Sequence, residues 1–332
     1  MLKQRIQDFC KSLGLDTIGF IPCRTFEELR DFYQMRQDQN LQNEFEEQDI
    51  EKRVNPRHYM EQGKTIISIA FPYTDEETSP TYENGFSIYT KRLDYHKVVR
   101  KYLDQIISYI ESLGGKAIGF VDSNTLPERY IAFLAGVGFI GKNNMMITEK
   151  YGSYVFLGEI ITDLAISCED QRQFEELSEY RECGSCQKCL GECPTKAIHL
   201  QRKNPNICLS YITQKKNISD QEIKLLKGNV FGCDFCQIKC PYNEKVELNI
   251  IKEFKTLDYM NEEAITYASM DNKYFKEKIS CTSCGWRGKN VIKRNALIHL
   301  MNKGQDICDF KSDSDYINGY IDRLIEMKNQ KE

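Results

Sequence analysis

Apolar positions along the first 165 residues switch repeatedly between a helical period and the continuous or alternating runs of strands. Residues 2–13 place Ile6, Phe9 and Leu13 on one helical face, and Gly14 stops the pattern. Residues 16–21 read as a short strand. The same order recurs later: a helix over 98–113, a stop at Gly114-Gly115, then a strand over 116–122. Both strands carry a glycine, Gly19 and Gly119, where a backbone or a ligand can come close. Residues 64–71 form a buried strand ended by Pro72, and 154–161 form another. Residues 25–60 read as helical, polar and acidic, a surface excursion, and 74–85 as a polar loop. Thr125-Leu-Pro-Glu128 has capping-box spacing with Pro in the first turn, which predicts a helix to Ala135. Gly136, Gly138 and Gly141 then break it. Residues 245–332 are mostly helical, including 291–300 and 316–327.

This pattern predicts an α+β domain over 1–165 and a helical region over 246–332. The segment between, 166–245, has too little apolar periodicity to hold its own loops, and its cysteines supply another means. Cys183, Cys186, Cys189 and Cys193-Pro194 follow the spacing Cys-x2-Cys-x2-Cys-x3-Cys-Pro, a bacterial ferredoxin pattern in which the fourth thiolate ligates the other cluster. Cys233, Cys236 and Cys240-Pro241 repeat it in part, and Cys208 lies between. Three closely spaced thiolates can wrap one face of an iron–sulfur cube, while the residue before Pro is turned away. Eight thiolates suffice for two 4Fe–4S clusters. Structural zinc fits less well, since its sites pair two Cys-x-x-Cys units across a spacer.

A chain of 332 residues is long enough for two or three domains. It shows neither the apolar core of a signal peptide nor a run long enough to span a bilayer. A cytoplasmic protein is expected, with no membrane association, in which fourteen cysteines mean metal or redox chemistry rather than disulfides. The net charge of −4 makes no global case for nucleic acid. Two basic stretches differ: Lys91, Arg92, Lys97, Arg100 and Lys101, and Arg287, Lys289, Lys293, Arg294 and Lys303. They read either as solvated faces or as phosphate contacts. No Gly-x-Gly-x-x-Gly follows a strand and no P-loop occurs, so nucleotide-cofactor readings lack support. Cys281-Thr-Ser-Cys284 is half a zinc site, a redox pair or two ordinary thiols. Trp286 reads as core or as a stacking platform.

Several segments together resemble the epoxyqueuosine reductase family. They are Asn55-Pro-Arg57, Asp94-Tyr-His96-Lys-Val-Val-Arg100, Val121-Asp122-Ser, Pro127-Glu-Arg129, Gly136-Val-Gly-Phe-Ile-Gly-Lys142-Asn143, Gly152-Ser-Tyr-Val-Phe-Leu-Gly-Glu159, the two cysteine runs, and Cys208-Leu-Ser210. The resemblance implies a nitroreductase-like cobalamin-binding domain, a ferredoxin-like two-cluster domain and a short HEAT-like helical C-terminus. It implies reduction of epoxyqueuosine to queuosine at the wobble base of tRNA, with two 4Fe–4S clusters and cobalamin. Cys183, Cys186, Cys189 and Cys240 would hold one cluster, and Cys193, Cys208, Cys233 and Cys236 the other. Asp122 matches the proton donor, and its carboxyl is expected to be raised by burial so that it donates at neutral pH; without the resemblance it reads as a helix-start turn residue. Arg57, His96, Asp122, Lys142, Asn143, Met146, Leu157, Ile160, Ser210 and Asp234 match segments lining the corrin. The expected partners are tRNA, bound through the basic residues 91–101 and 287–294, and an external low-potential electron donor; a monomer is expected. Beyond residue 245 only 286–290 and 293–297 continue the match, so a shortened helical region is expected. A corrinoid reductase of small molecules, like a reductive dehalogenase, or a non-catalytic electron-transfer protein would share parts of this pattern.

Overall fold

The computed structural model describes residues 2–76, 78, 84–168, 171–178, 180–199 and 203–330. Part of the loop expected over 74–85 lies outside them. The N-terminal half runs α1 (Leu2–Ser12), β1 (Ile18–Pro22), α2 (Arg30–Asp38), α3 (Ile50–Val54), β2 (Thr65–Pro72), α4 (Tyr95–Ser112), β3 (Ala117–Phe120) and α5 (Glu128–Leu134). A short hairpin of β4 (Phe139–Ile140) and β5 (Met146–Ile147) follows, then β6 (Val155–Thr162). Four strands make one antiparallel sheet in the order β1-β2-β6-β3. The continuous apolar runs are its two central strands: β2 is buried at every position and β6 from Gly158 onward.

Alternation along those strands builds two cores. Ile67, Ile69, Phe71 and Ile160 pack against Ile6 and Cys10 of α1 and Val99, Leu103 and Ile106 of α4. Ile66, Ala70 and Ile161 face α5 and the residues Phe26, Leu29 and Tyr33. Gly19 is where backbones meet, because a Cβ there would lie 2.0 Å from the Ala135 carbonyl oxygen.

The excursion over 25–60 is not one helix but α2, α3 and short 3-10 turns. Its acidic residues are matched locally: Arg30 pairs with Glu51, and Arg36 and Arg53 with Glu46. The capping box does not form. α5 starts at Glu128 after Pro127, without a side-chain cap. The Thr125 hydroxyl donates to the Lys52 carbonyl and its N–H to Tyr59 Oη, a tertiary contact that outcompetes the local one.

The cysteine region contains α6 (Lys188–Glu192), α7 (Leu209–Ile212), α8 (Asp220–Leu225) and α9 (Phe235–Ile238). Beyond it come α10 (Ala264–Ser269), α11 (Asn272–Tyr274), α12 (Lys289–Asn302) and α13 (Asp315–Asn329). Leu209, Ile212, Ile223 and Phe231 share one core with Ile292, Leu297 and Leu324. Hydrophobic packing therefore crosses residue 245. Residues 246–263 hold 3-10 turns rather than a long helix, and Ile251 and Phe254 join the N-terminal core. No helix among the described residues is long and apolar enough to cross a membrane.

Half of the expected basic surface is interior. Arg92 is buried and donates to the Ile88 carbonyl, Thr78 and Asp75, and Lys91 donates to Asn261. Lys293 donates to the Met270 carbonyl. Arg294 is fully buried and bonds the Lys215 and Lys216 carbonyls, Tyr316 Oη and Asn295. Arg92, Lys293 and Arg294 each donate to at least one backbone carbonyl, an interior task to which a guanidinium fork is well suited. Lys97, Arg100 and Lys101 stay exposed, although Lys101 pairs with Glu253 at 2.5 Å.

Replacing Arg294 by Met leaves those carbonyls without donors. It should cost about 3 kcal/mol, as for a broken buried charge network, read as a lower denaturant midpoint. An unchanged midpoint would show that water replaces the guanidinium.

Candidate redox and acid site

The thiols sort into two groups. Burial, then the neighbouring Cys183, Cys240 and Cys186, pushes the Cys189 thiol up to about 11. Burial raises Cys240 too, with Cys183 and Cys186 beside it. In the other group, burial raises Cys233, Cys236 and Cys208, and Cys208 and Cys193 are among their electrostatic neighbours. Cys193 runs the other way: burial raises it, but N–H groups of Ile198, Thr195 and Ala197 and the Thr195 hydroxyl bring it below the usual thiol range. Cys236 also feels Cys189, so the groups adjoin. Crowded thiols with raised proton affinity, some aimed at by backbone donors, suit a cationic iron–sulfur core, whose charge inverts the local pKa logic.

What holds these loops comes from the N-terminal half. Lys142 Nζ donates to the Gly184 and Cys186 carbonyls at 2.6 and 3.0 Å. Asn143 Nδ2 donates to the Cys236 carbonyl at 3.1 Å. The glycine-rich loop thus clamps both cysteine runs through Lys142 and Asn143. A second clamp is Gly152-Ser153 against Asn243. The Ser153 N–H donates to Asn243 Oδ1 at 2.8 Å, and Asn243 Nδ2 donates to Ser153 Oγ at 2.9 Å. Gly152 has φ +54°, and a Cβ there would lie 2.0 Å from Asn243 Oδ1.

The acid site lies where the sheet stops covering itself. β3 pairs with β6 only over Glu159 to Thr162. Val155, Phe156 and Leu157 beyond it are half-buried, an apolar edge on an otherwise buried strand. The chain leaves β3 through Asp122, which has φ +44°, a conformation Asp tolerates better than most residues. Asp94 caps α4 through the His96 N–H and so fixes the first turn. From that turn the Tyr95 hydroxyl donates to Asp122 Oδ2. His96 Nε2 lies 3.4 Å from the same oxygen and its Nδ1 2.8 Å from Asp94 Oδ1. Tyr95 is stacked on Phe156 at 4.3 Å, which ties the pair to the open edge.

Hydrogen bonds to Asp122 and then Asp94 push His96 up to about 9. Burial raises Asp122, but the bonds from His96 and Tyr95 outweigh it and hold the carboxyl below its usual range. The neighbours that the chain itself supplies therefore lower Asp122 rather than raise it. At neutral pH the proton resides on His96, and the Asp122 side chain is 55% exposed. Behind Asp122, Glu128 Oε1 accepts from Asn124 Nδ2 at 2.6 Å, and Glu159 on β6 is fully buried. The charges of Asp122 and Cys208 both reach Tyr89, which burial first of all raises above the usual phenol range.

Of the other expected corrin residues, Arg57 is exposed and Leu157 and Ser210 are half-buried. Ser210 lies at the second thiol group, its N–H directed at Cys208. Met146 is buried in the core facing α5. Ile160 is fully buried on the opposite face from Leu157, because neighbours an odd number apart on a strand diverge. Asp234 is buried, pushed up to about 6 by that burial, and accepts from the Ile88 N–H at 2.6 Å and Gln237 at 2.9 Å. It joins the cysteine loop to residues 86–88. The sequence reading missed Tyr95, Glu128 and Glu159 as site residues. A lone Glu in an apolar central strand was the available signal for Glu159.

Residues 182–243 match the family described as a 4Fe-4S double cluster binding domain. That domain, clamped to an α+β domain that carries an acid site, defines an iron–sulfur oxidoreductase. Residues 53–123 match the family described as Epoxyqueuosine reductase QueG. The chain is 36% identical over 311 residues to epoxyqueuosine reductase of Lactococcus garvieae, covering 91% of this chain and 87% of that one. A crystal structure of epoxyqueuosine reductase with an epoxyqueuosine-modified tRNA-Tyr stem loop superposes with TM-score 0.87 at 31% identity, over 98% of this chain and 89% of that one. The Bacillus subtilis enzyme, with its aspartate catalytic loop swung out of the active site, gives TM-score 0.86 at 30% identity over the same shares. The chain belongs to the epoxyqueuosine reductase family.

Two outcomes follow from this geometry. Gly152→Ala should lower iron content per chain and cost about 2 kcal/mol, since a left-handed non-glycine residue is strained; full iron loading at unchanged stability would contradict the clamp. The imidazole of His96 should titrate by NMR near 9 and fall toward about 6.5 in Asp122→Asn, the ordinary value. Because folding raises this pKa, its stabilising contribution is complete below the unfolded value and is lost as pH rises through about 9. A His96 titration unmoved by the substitution would contradict the pairing.

Proposed function

We propose that this protein reduces epoxyqueuosine to queuosine at the wobble position of tRNA, in the cytoplasm, using two 4Fe–4S clusters and cobalamin. The observation that carries this reading is a double-cluster cysteine segment clamped by Lys142, Asn143 and Ser153 to a sheet domain that carries a half-exposed carboxylate–imidazole pair at an uncovered apolar edge. Cys183, Cys186, Cys189 and Cys240 hold one cluster, and Cys193, Cys208, Cys233 and Cys236 the other. The half-buried edge at Val155, Phe156 and Leu157, tied to His96 through the stacked rings of Tyr95 and Phe156, suits a large flat ring system. Cobalamin, when bound there, supplies a cobalt centre able to transfer electrons to an epoxide.

Opening an epoxide to an alkene consumes two electrons and two protons and releases water. His96 holds a proton at Nε2, and Asp122 relays it to the departing oxygen. Tyr95 fixes the orientation of the carboxylate. Residues 1–165 form the nitroreductase-like cobalamin-binding domain, 166–245 the ferredoxin-like domain and 246–332 a short HEAT-like region. The crystallised relative bound to a tRNA stem loop supports tRNA as the substrate. The exposed Lys97 and Arg100, together with Arg287, which stacks on the 57% exposed Trp286 at 4.7 Å, are the basic groups left to meet it. An external low-potential donor supplies the electrons, and the enzyme acts as a monomer. The loop of Asp122 corresponds in this reading to the mobile aspartate loop of the Bacillus subtilis enzyme.

Purified Asp122→Asn should keep its iron–sulfur and cobalamin absorption bands yet lose at least about a hundredfold in turnover of epoxyqueuosine-containing RNA, as for a lost general acid. Near-normal turnover would remove Asp122 from the mechanism, and wild-type clusters without affinity for cobalamin would overturn the cofactor assignment.

A further inference from the structure

We propose that Glu128 and Glu159 share one proton and store it as the second of the two protons that epoxide reduction consumes, releasing it toward Asp122. This rests on the reductase reading above. Glu159 is the single ionisable residue on the two central strands, and it is 0% exposed. Ser68, its register partner on β2, donates to Glu159 Oε1 at 3.2 Å. Glu159 Oε2 has no partner among the described donors. A buried carboxylate with an unsatisfied oxygen is costly. The group facing it from α5 is the Glu128 carboxyl, a hydrogen-bonding neighbour. Two carboxyls can bond each other only when one carries a proton, so a shared proton supplies the missing donor.

The pair is also coupled to the catalytic loop. Glu128 accepts from Asn124 Nδ2 and from the Asp122 N–H. Asn124 Nδ2 donates as well to the Asp122 carbonyl. The groups facing the pair are Ser68 from β2, Asp122 and Asn124 from the loop, and the charge of Arg129 from α5. Burial, then the Asp122 charge, pushes Glu128 up to about 7, while burial and then Glu128 hold Glu159 far above the carboxylate range. The two titrate as a unit.

The reaction balances with this store. The substrate gains two electrons from the external donor through the clusters. One proton comes from the His96–Asp122 pair and one from the glutamate pair, and the oxygen leaves as water. Glu128 and Glu159 act through Asp122 and are positioning residues.

The test combines infrared spectroscopy with single turnover of a stem-loop RNA by chemically reduced, cofactor-loaded protein. Wild type should show a protonated-carboxyl band that persists through neutral pH and titrates away only at alkaline pH, and its rate should fall in step. Glu159→Gln offers Glu128 an amide donor, which favours the ionised form. The band should vanish and the alkaline limb move to lower pH, with KM unchanged and kcat down roughly tenfold, the low side of proton-transfer effects. Ser68→Ala removes a bond that lowers Glu159, so its band should persist to higher pH; this variant serves if Glu159→Gln does not fold. A wild-type protein without the band, or a Glu159→Gln protein with an unchanged pH profile, would overturn the proposal. A wild-type protein that shows the band but does not turn over the RNA would instead overturn the reductase reading, and with it the use assigned to the stored proton.

Discussion

The structure depends most on the way its two thiol groups interlock. In the proposed ligand sets each group of four takes residues from both ends of the cysteine segment: Cys240 returns to Cys183, Cys186 and Cys189, its electrostatic neighbours, while Cys193 crosses to Cys208, Cys233 and Cys236. The intervening helices are short, and the apolar residues of 209–231 pack mainly with the C-terminal helices. Loops of this kind cannot repay their ordering entropy by burial alone. Metal–thiolate bonds, and the clamps from Lys142, Asn143 and Ser153, make up the difference. The same clamps bind the cysteine segment to the sheet, so electron relay and acid chemistry keep a fixed mutual placement.

Placement decides which group carries the proton. Asp122 alone would be an ordinary carboxylate, and burial alone would make it a weak acid. An imidazole held between Asp94 and Asp122, with a phenol on the same oxygen, reverses the burial effect and leaves the proton on His96. The positive φ of Asp122 makes this contact sensitive to the loop, so a swing of the loop would change the proton affinity of both partners.

Much of this was legible in residue spacing, because helices, buried strands and thiolate runs leave periodic marks. β2, α4 and α12 lie where the apolar pattern puts them. What failed were local rules overridden by tertiary contacts. Thr125 bonds Lys52 instead of capping α5, and Arg92 and Arg294 are interior staples rather than a phosphate-binding face. Lys142 and Asn143 hold carbonyls of the cysteine loops, a task that no spacing in the glycine-rich turn announces. Glu128 was hidden by its resemblance to a capping residue, and Glu159 by the apolar run around it, which reads as simple core.

The central claim is that this chain performs the epoxide-reducing step of queuosine formation on tRNA. The most direct measurement is mass spectrometry of tRNA nucleosides from cells lacking this gene and no other reductase of the kind. The account predicts that epoxyqueuosine accumulates and queuosine disappears, with both restored by the wild-type gene. Normal queuosine with no accumulated epoxide would contradict it.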